Sequence, residues 1–251
     1  KGTFHLVPTW LDHDGYVQSS EVSTLYDGHE VAAHGYTHSG VGGQTAVEFE
    51  NDLNLSKVGL KALTGYDIHG YAYPFGGLTD DDNLITQDEV NFILKKNNIL
   101  YARAAGKAIS SFNLPADVYQ WKFQIRIGPL DSSATTDDAF SRIDAFTSLP
   151  VQDSKQILMV FGHSNEVKDY GLTDKEAAGW DLFSELCQSI SNKPDIWYAT
   201  SSDIAEYAQA SEKLKVGFTT KKIKNPTDAS VWVTINGVKK EIKPWRVLNL
   251  E

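Results

Sequence analysis

Gly28-His29-Glu30-Val31-Ala32-Ala33-His34-Gly35-Tyr36-Thr37-His38 is the stretch on which the reading of this chain turns. Its first part, His29–Ala33, reads as a short buried strand, and its second part sets two imidazoles four residues apart. Comparable short apolar runs recur at Thr3–Val7, Gly70–Tyr73, Ile99–Arg103, Lys122–Ile127, Gln156–Phe161 and Asp195–Ala199. Helical patterns fall between them. Ala46, Phe49, Leu53, Leu60 and Leu63 share one stripe at a period of 3.6 residues. Thr86 with Glu89, and Thr173 with Glu176, have the spacing of a capping box at a helix start. Phe140, Ile143 and Phe146 mark a further short helix. Strand-then-helix units repeated in this way predict an α/β fold with a mostly parallel sheet, open or closed into a barrel.

Composition bounds what such a chain does. Its 251 residues suit one domain, or one domain with a small appendage, and an apolar fraction of 41% suffices for a sizeable core. No run approaches the roughly 18 apolar residues of a membrane helix, so no membrane span is expected. A formal charge of −10 argues against a nucleic-acid backbone or an anionic membrane surface as partner. Cys187 is the single cysteine, which excludes an intrachain disulfide and a thiolate metal cluster. Lys1 leads straight into an apolar run with neither an initiator Met nor a signal peptide, so a processed chain or a start partway through a gene product is expected.

Charge divides the chain unevenly. From Ser211 onward nine basic residues face four acidic ones, a net +5 that leaves −15 to the first 210 residues. Val231–Ile235 alternates, Asn236-Gly237 is a two-residue hairpin signal, and Val238–Ile242 resumes the alternation. Residues 211–251 therefore read as a small β appendage. Its basic excess suits a solvated face or, as the alternative, a docking surface for an acidic polymer.

Groups suited to chemistry gather at the expected C-terminal ends of strands, where parallel βα folds build their sites. His34 and His38 can meet one metal ion if the chain between them makes a helical turn. Tyr71-Ala72-Tyr73-Pro74-Phe75-Gly76-Gly77 ends a strand with a Pro and two glycines, which suits a backbone N–H aimed into a cleft or an ordinary turn. Arg103 can orient a carboxylate or sit in a surface ion pair. His163 follows an apolar strand, with Glu166 close by, and suits general acid work. Together these predict a metal-assisted hydrolytic site that still lacks a carboxylate as third ligand and another as base.

The chain resembles the polysaccharide deacetylases of carbohydrate esterase family four over about residues 2–210. The resemblance rests on the opening stretch, on Ala72-Tyr73-Pro74-Phe75-Gly76, on Tyr101-Ala102-Arg103, on Phe161-Gly162-His163-Ser164 and on Asp195-Ile196-Trp197-Tyr198-Ala199-Thr200. It implies a distorted, incomplete (β/α) barrel over residues 1–210, with a small β extension at 211–251. It implies a hydrolase that removes N- or O-acetyl groups from a polysaccharide or oligosaccharide through zinc-activated water, the metal being Zn2+ or another divalent transition ion. His34 and His38 match the zinc ligands, the Phe75 N–H the oxyanion donor, and His163 the general acid. Tyr73, Pro74, Trp121 and Phe161 fall to substrate binding, with Val160 and Phe161 near the acetyl methyl, and Asp117 sits with Trp121 in a groove-lining motif. Arg103 replaces the arginine that many members carry where Ala72 stands. An acetylated glycan substrate implies an extracellular or periplasmic setting, with no nucleic acid as partner.

The chain departs from the family at its front. Gly2-Thr3-Phe4-His5-Leu6-Val7 resembles the family's second strand, so the first βα unit and its two aspartates, one the base and one the third ligand, are absent. The expectation is that they lie outside this chain, with Asp12 or Asp14 as the less favoured substitutes. The competing reading is a non-catalytic carbohydrate-binding protein in which Tyr36, Tyr73, Phe75 and Trp121 stack on sugars.

Overall fold

The first four apolar runs form one parallel sheet. In the computed structural model, which describes residues 1–78, 84–127, 136–150, 155–169 and 176–250, β1 (Thr3–Leu6), β2 (Glu30–Ala33), β3 (Gly70–Ala72) and β4 (Tyr101–Arg103) lie side by side in chain order. β2, β3 and β4 are buried along their whole length, which is why, apart from Glu30 and Arg103 at strand ends, they appear in the sequence as apolar runs and not as alternation. Trp121 adds a parallel bridge to Arg103.

Internal packing divides the chain into two units. The first comprises residues 1–104, 117–121 and 198–251, the second residues 105–116 and 122–197. In the first unit the sheet packs with α1 (Val22–Leu25), α2 (Ala46–Thr64) and α3 (Gln87–Lys96). The predicted stripe of α2 is realised with Phe49, Leu53, Ser56 and Leu60 buried. Thr45 with Glu48 and Thr86 with Glu89 form reciprocal capping boxes, and Gly65 ends α2 in the left-handed region.

In the second unit β5 (Ile125–Ile127) pairs in parallel with β6 (Val160–Gly162). They pack with α4 (Thr136–Thr147) and α5 (Glu176–Ile190), around Ile125, Ile143 and Leu186. Two expectations are corrected. Of the run Gln156–Phe161 only its end joins this ladder, Gln156 making an isolated bridge to Asn113. Asp195–Ala199 is not a strand: the Ile196 N–H closes a turn on the Lys193 carbonyl, with Pro194 at the position that proline pre-sets. Thr173 lies outside the described residues. Mixed α/β structure with parallel strands, and no closed barrel among the described residues, is the incomplete barrel expected.

α6 (Ser201–Glu212) is joined to β1, β2 and β4 through one carboxylate. Glu30, at the start of β2, accepts from the Thr3 hydroxyl at 2.8 Å, the Tyr101 hydroxyl at 3.2 Å and the Ser202 backbone N–H at 3.0 Å. A buried anion at a helix N-terminus is stabilised by these donors and by the helix dipole. Five short strands follow α6. β7 (Lys215–Gly217), β8 (Lys222–Lys224) and β11 (Val247–Asn249) form an antiparallel sheet in the order β11-β8-β7, and β9 (Val231–Ile235) pairs with β10 (Val238–Ile242). Asn236 and Gly237 both have positive φ, 51° and 78°, as the predicted two-residue hairpin requires.

Candidate functional site

His34 leaves the end of β2, but the helical turn expected between it and His38 does not form. Residues 34–38 are a bent loop, with Gly35 at φ 73° and His38 at φ 62°. Helix α2 shapes this loop. Asp52 accepts the Tyr36 backbone N–H at 2.9 Å through one oxygen and the Thr37 hydroxyl at 3.4 Å through the other, while the Ser56 hydroxyl donates to the Gly35 carbonyl at 3.2 Å. A β-carbon on Gly35 would stand 3.1 Å from the Asp52 carboxylate and 3.4 Å from Pro74. Positive φ and lack of room together require glycine there.

The imidazole of His34 is fixed by the neighbouring strand. Its Nδ1 lies 2.9 Å from the Ala72 carbonyl oxygen. A carbonyl only accepts, so Nδ1 carries the proton and Nε2 presents its lone pair. That Nε2 stands 3.2 Å from the Nε2 of His38. Two imidazoles on one tetrahedral zinc, at about 2.0–2.1 Å each, have nitrogens about 3.3 Å apart, so the pair fits two positions of such an ion. Without an ion the same distance suits a hydrogen bond from His38 to His34. Trp10 stacks on the His38 ring, with centroids 4.6 Å apart at 29°, and Phe75 meets it edge-on at 4.8 Å. His38 and Phe75 (φ 57°) are both non-glycine residues in the left-handed region, and such strain collects at functional sites.

Among the described residues no group of three His, Cys, Asp or Glu side chains stands where it would hold an ion. Asp12 turns its carboxylate to the Ser19 backbone N–H at 2.7 Å, and Asp14 is exposed. The imidazole pair fits a divalent transition ion in chemical kind, as two ligands of its set. His5, on β1, lies 3.4 Å from the Tyr101 hydroxyl, and burial, then the Arg103 and His34 charges, hold its pKa well below the ordinary value.

Arg103, Tyr73 and Trp121 prove to be interior residues. Arg103 is buried on β4, which rules out the surface ion pair, and burial draws its guanidinium down to about 10 while Tyr101 acts the other way. Tyr73 is fully buried and donates its hydroxyl to the Tyr119 carbonyl at 2.9 Å. Trp121 is 2% exposed and meets Tyr101 edge-on. Neither ring has a face open to a sugar in this conformation, because the parallel bridge at Arg103 draws Trp121 into the packing. Pro74 is buried too. Asp117 caps the turn at Val118–Gln120 and accepts from Asn91 at 2.9 Å.

The second unit holds His163 and Phe161. His163 Nδ1 lies 2.7 Å from a Glu166 oxygen, and the other Glu166 oxygen faces Arg126 at 3.4 Å. A carboxylate on Nδ1 fixes the tautomer and leaves Nε2, on a half-exposed ring, for proton transfer. Phe161 packs between Phe123, at 4.9 Å, and the His163 ring, at 5.2 Å. The sequence reading missed Asp52, Ser56 and Trp10. Ser56 had left a sign, as the one polar residue on the apolar stripe of α2.

The two histidines, their supporting loop and the turn at Pro74 all fall in the first hundred residues. Residues 1–99 match the polysaccharide deacetylase family model. The resemblance seen in the sequence holds for this segment. A solved structure assigned as a polysaccharide deacetylase of Mycobacterium smegmatis is 19% identical, over 84% of this chain and 72% of its own, with a TM-score of 0.52. It shows the shared fold. A polysaccharide deacetylase from Bacillus cereus is 24% identical over 48% of this chain, with a TM-score of 0.37, and a family-four pseudoenzyme from Bacillus anthracis is 14% identical over 74%, with a TM-score of 0.43. This chain spans 35% and 50% of those two Bacillus chains. No curated protein matches it.

Proposed function

We propose that this chain removes acetyl groups from a glycan, using a divalent transition ion, zinc first, held by His34 and His38. The observation that carries this reading is the convergence of the two Nε2 atoms to 3.2 Å, with the His34 tautomer set by Ala72. An ion so held supplies Lewis-acid polarisation of the acetyl carbonyl. The other roles belong to the chain. The turn after β3, strained at Phe75, sets the backbone amide that receives the developing oxyanion. In the second unit Glu166 faces Nδ1 of His163, which leaves Nε2 for general acid work. An acetylated polysaccharide substrate sets this work in an extracellular or periplasmic space.

A second reading, a glycan-binding protein without turnover, draws support from one observation. Two exposed rings, Trp10 and Phe75, flank His38 and offer faces on which a sugar can stack. Metal counting and acetate release separate the two. After dialysis against zinc, stoichiometric metal that His38→Ala loses, with chelator-sensitive acetate release from acetylated xylan or acetylated chitin oligomers, supports the hydrolase. Glycan binding with neither metal nor acetate sinks the hydrolase reading and leaves the binder.

A further inference from the structure

We infer that the C-terminal appendage docks an anionic polysaccharide, a glycan with carboxylates spaced along its chain. The inference rests on the glycan reading above and adds a second surface to it. In the sheet β11-β8-β7, Val216, Ile223 and Leu248 stand level on one face, with Ile223 buried. The other face carries Lys215, Lys222 and Lys224 with Val247 and Asn249, all exposed. The register sets Lys215 directly opposite Lys224, their β-carbons about 5 Å apart, with Lys222 about 7 Å along the same face. Like charges in that arrangement are destabilising. Among the described residues none of these three lysines pairs with a carboxylate, so the counter-ion has to come from outside.

Aromatic rings flank the cationic face along the chain. Phe218, in the turn after β7, is 87% exposed, and Trp245, two residues before Val247 of β11, is 60% exposed. The Trp245 indole N–H donates to Asp228 at 2.8 Å, which fixes the ring and occupies one of the few acids of the appendage. An exposed indole held in place suits the apolar face of a sugar ring, while ammonium groups suit its carboxylates. Residues 1–210 carry −15, which repels a duplex with one charge per about 1.7 Å far more than a sparsely charged glycan. Screening over about 8 Å lets the lysine face act locally in spite of that acidic body.

The test uses the whole chain and polygalacturonate, with dextran as the neutral control. Polygalacturonate is expected to bind, more weakly as salt rises, and dextran is not. Replacing all three lysines (Lys215→Gln, Lys222→Gln, Lys224→Gln) is expected to weaken binding about thirtyfold, at roughly threefold per exposed charge. The same variant should keep or raise its urea midpoint, because the repulsion is gone, which separates lost binding from lost folding. It should also take up zinc as the parent does, so failure at this surface is distinguishable from failure of the histidine site. No binding of polygalacturonate, undiminished binding by the triple variant, or tighter binding of a DNA duplex or of phosphatidylglycerol vesicles overturns the inference.

Discussion

Removing the Asp52 carboxylate should disturb the two-histidine loop more than it disturbs the fold. Its main bond, to the Tyr36 N–H at 2.9 Å, is short and charge-assisted, of a kind that contributes about 1.5–3 kcal/mol. The contact to the Thr37 hydroxyl, at 3.4 Å, is long and adds under about 0.5 kcal/mol. Asp52 is half-buried, so water takes over part of what is lost, and the net cost of Asp52→Ala comes to about 1.5 kcal/mol. That cost falls on residues 35–38, since Phe49, Leu53 and Leu60 keep α2 packed without the Asp52 carboxylate. Cobalt(II) titration, read by visible absorption, measures the loop, and urea unfolding of the metal-free protein measures the fold. A loss of about 1.5 kcal/mol in preorganisation corresponds to roughly tenfold weaker cobalt binding. Asp52→Asn keeps one oxygen for Tyr36 and should lose about half as much free energy. If Asp52→Ala lowers the urea midpoint while cobalt affinity holds, the loop is not shaped by α2 and the reasoning fails.

Three further outcomes follow from the packing. Gly162→Ala would put a β-carbon 2.6 Å from the Ile127 carbonyl oxygen and 2.8 Å from the Ile127 β-carbon, clashes no rotamer relieves, and should cost about 3 kcal/mol in thermal unfolding followed by near-UV dichroism. Asn225→Ala removes a fully buried amide that bonds the Ala229 and Ile242 carbonyls and accepts from Thr227, and should cost about 3 kcal/mol, read from tryptophan fluorescence of the appendage in urea. Glu48 and Glu89 are held below the ordinary carboxylate value by the backbone, and then the side-chain, bonds of Thr45 and Thr86. A depressed folded pKa lends stability that is present above the unfolded value near ~4.3 and is lost as pH falls through the folded value. Thr45→Ala and Thr86→Ala should each lower the thermal midpoint by a few degrees near neutrality and by less in acid.

The central strands of the first unit were legible because a strand buried on both faces is mostly apolar, as β2 is in Val31-Ala32-Ala33. Asp195–Ala199 is also largely apolar yet closes a turn with Trp197 and Tyr198 exposed, since an apolar run fixes neither burial nor which strand stands beside it. The histidine pair was legible by spacing, whereas the loop that carries it depends on Asp52 and Ser56, which reach it from another element. Tyr73 and Trp121 show the opposite limit: a ring able to stack on a sugar is equally able to fill a core, and only the packing tells which face is covered. Ser56 was the readable exception. A hydroxyl buried without a partner costs about 1–3 kcal/mol, so a serine in register with Phe49, Leu53 and Leu60 announces an acceptor on whatever the helix packs against. That acceptor is the Gly35 carbonyl, one residue past His34, and the stripe of α2 therefore encodes the position of the site as well as the core.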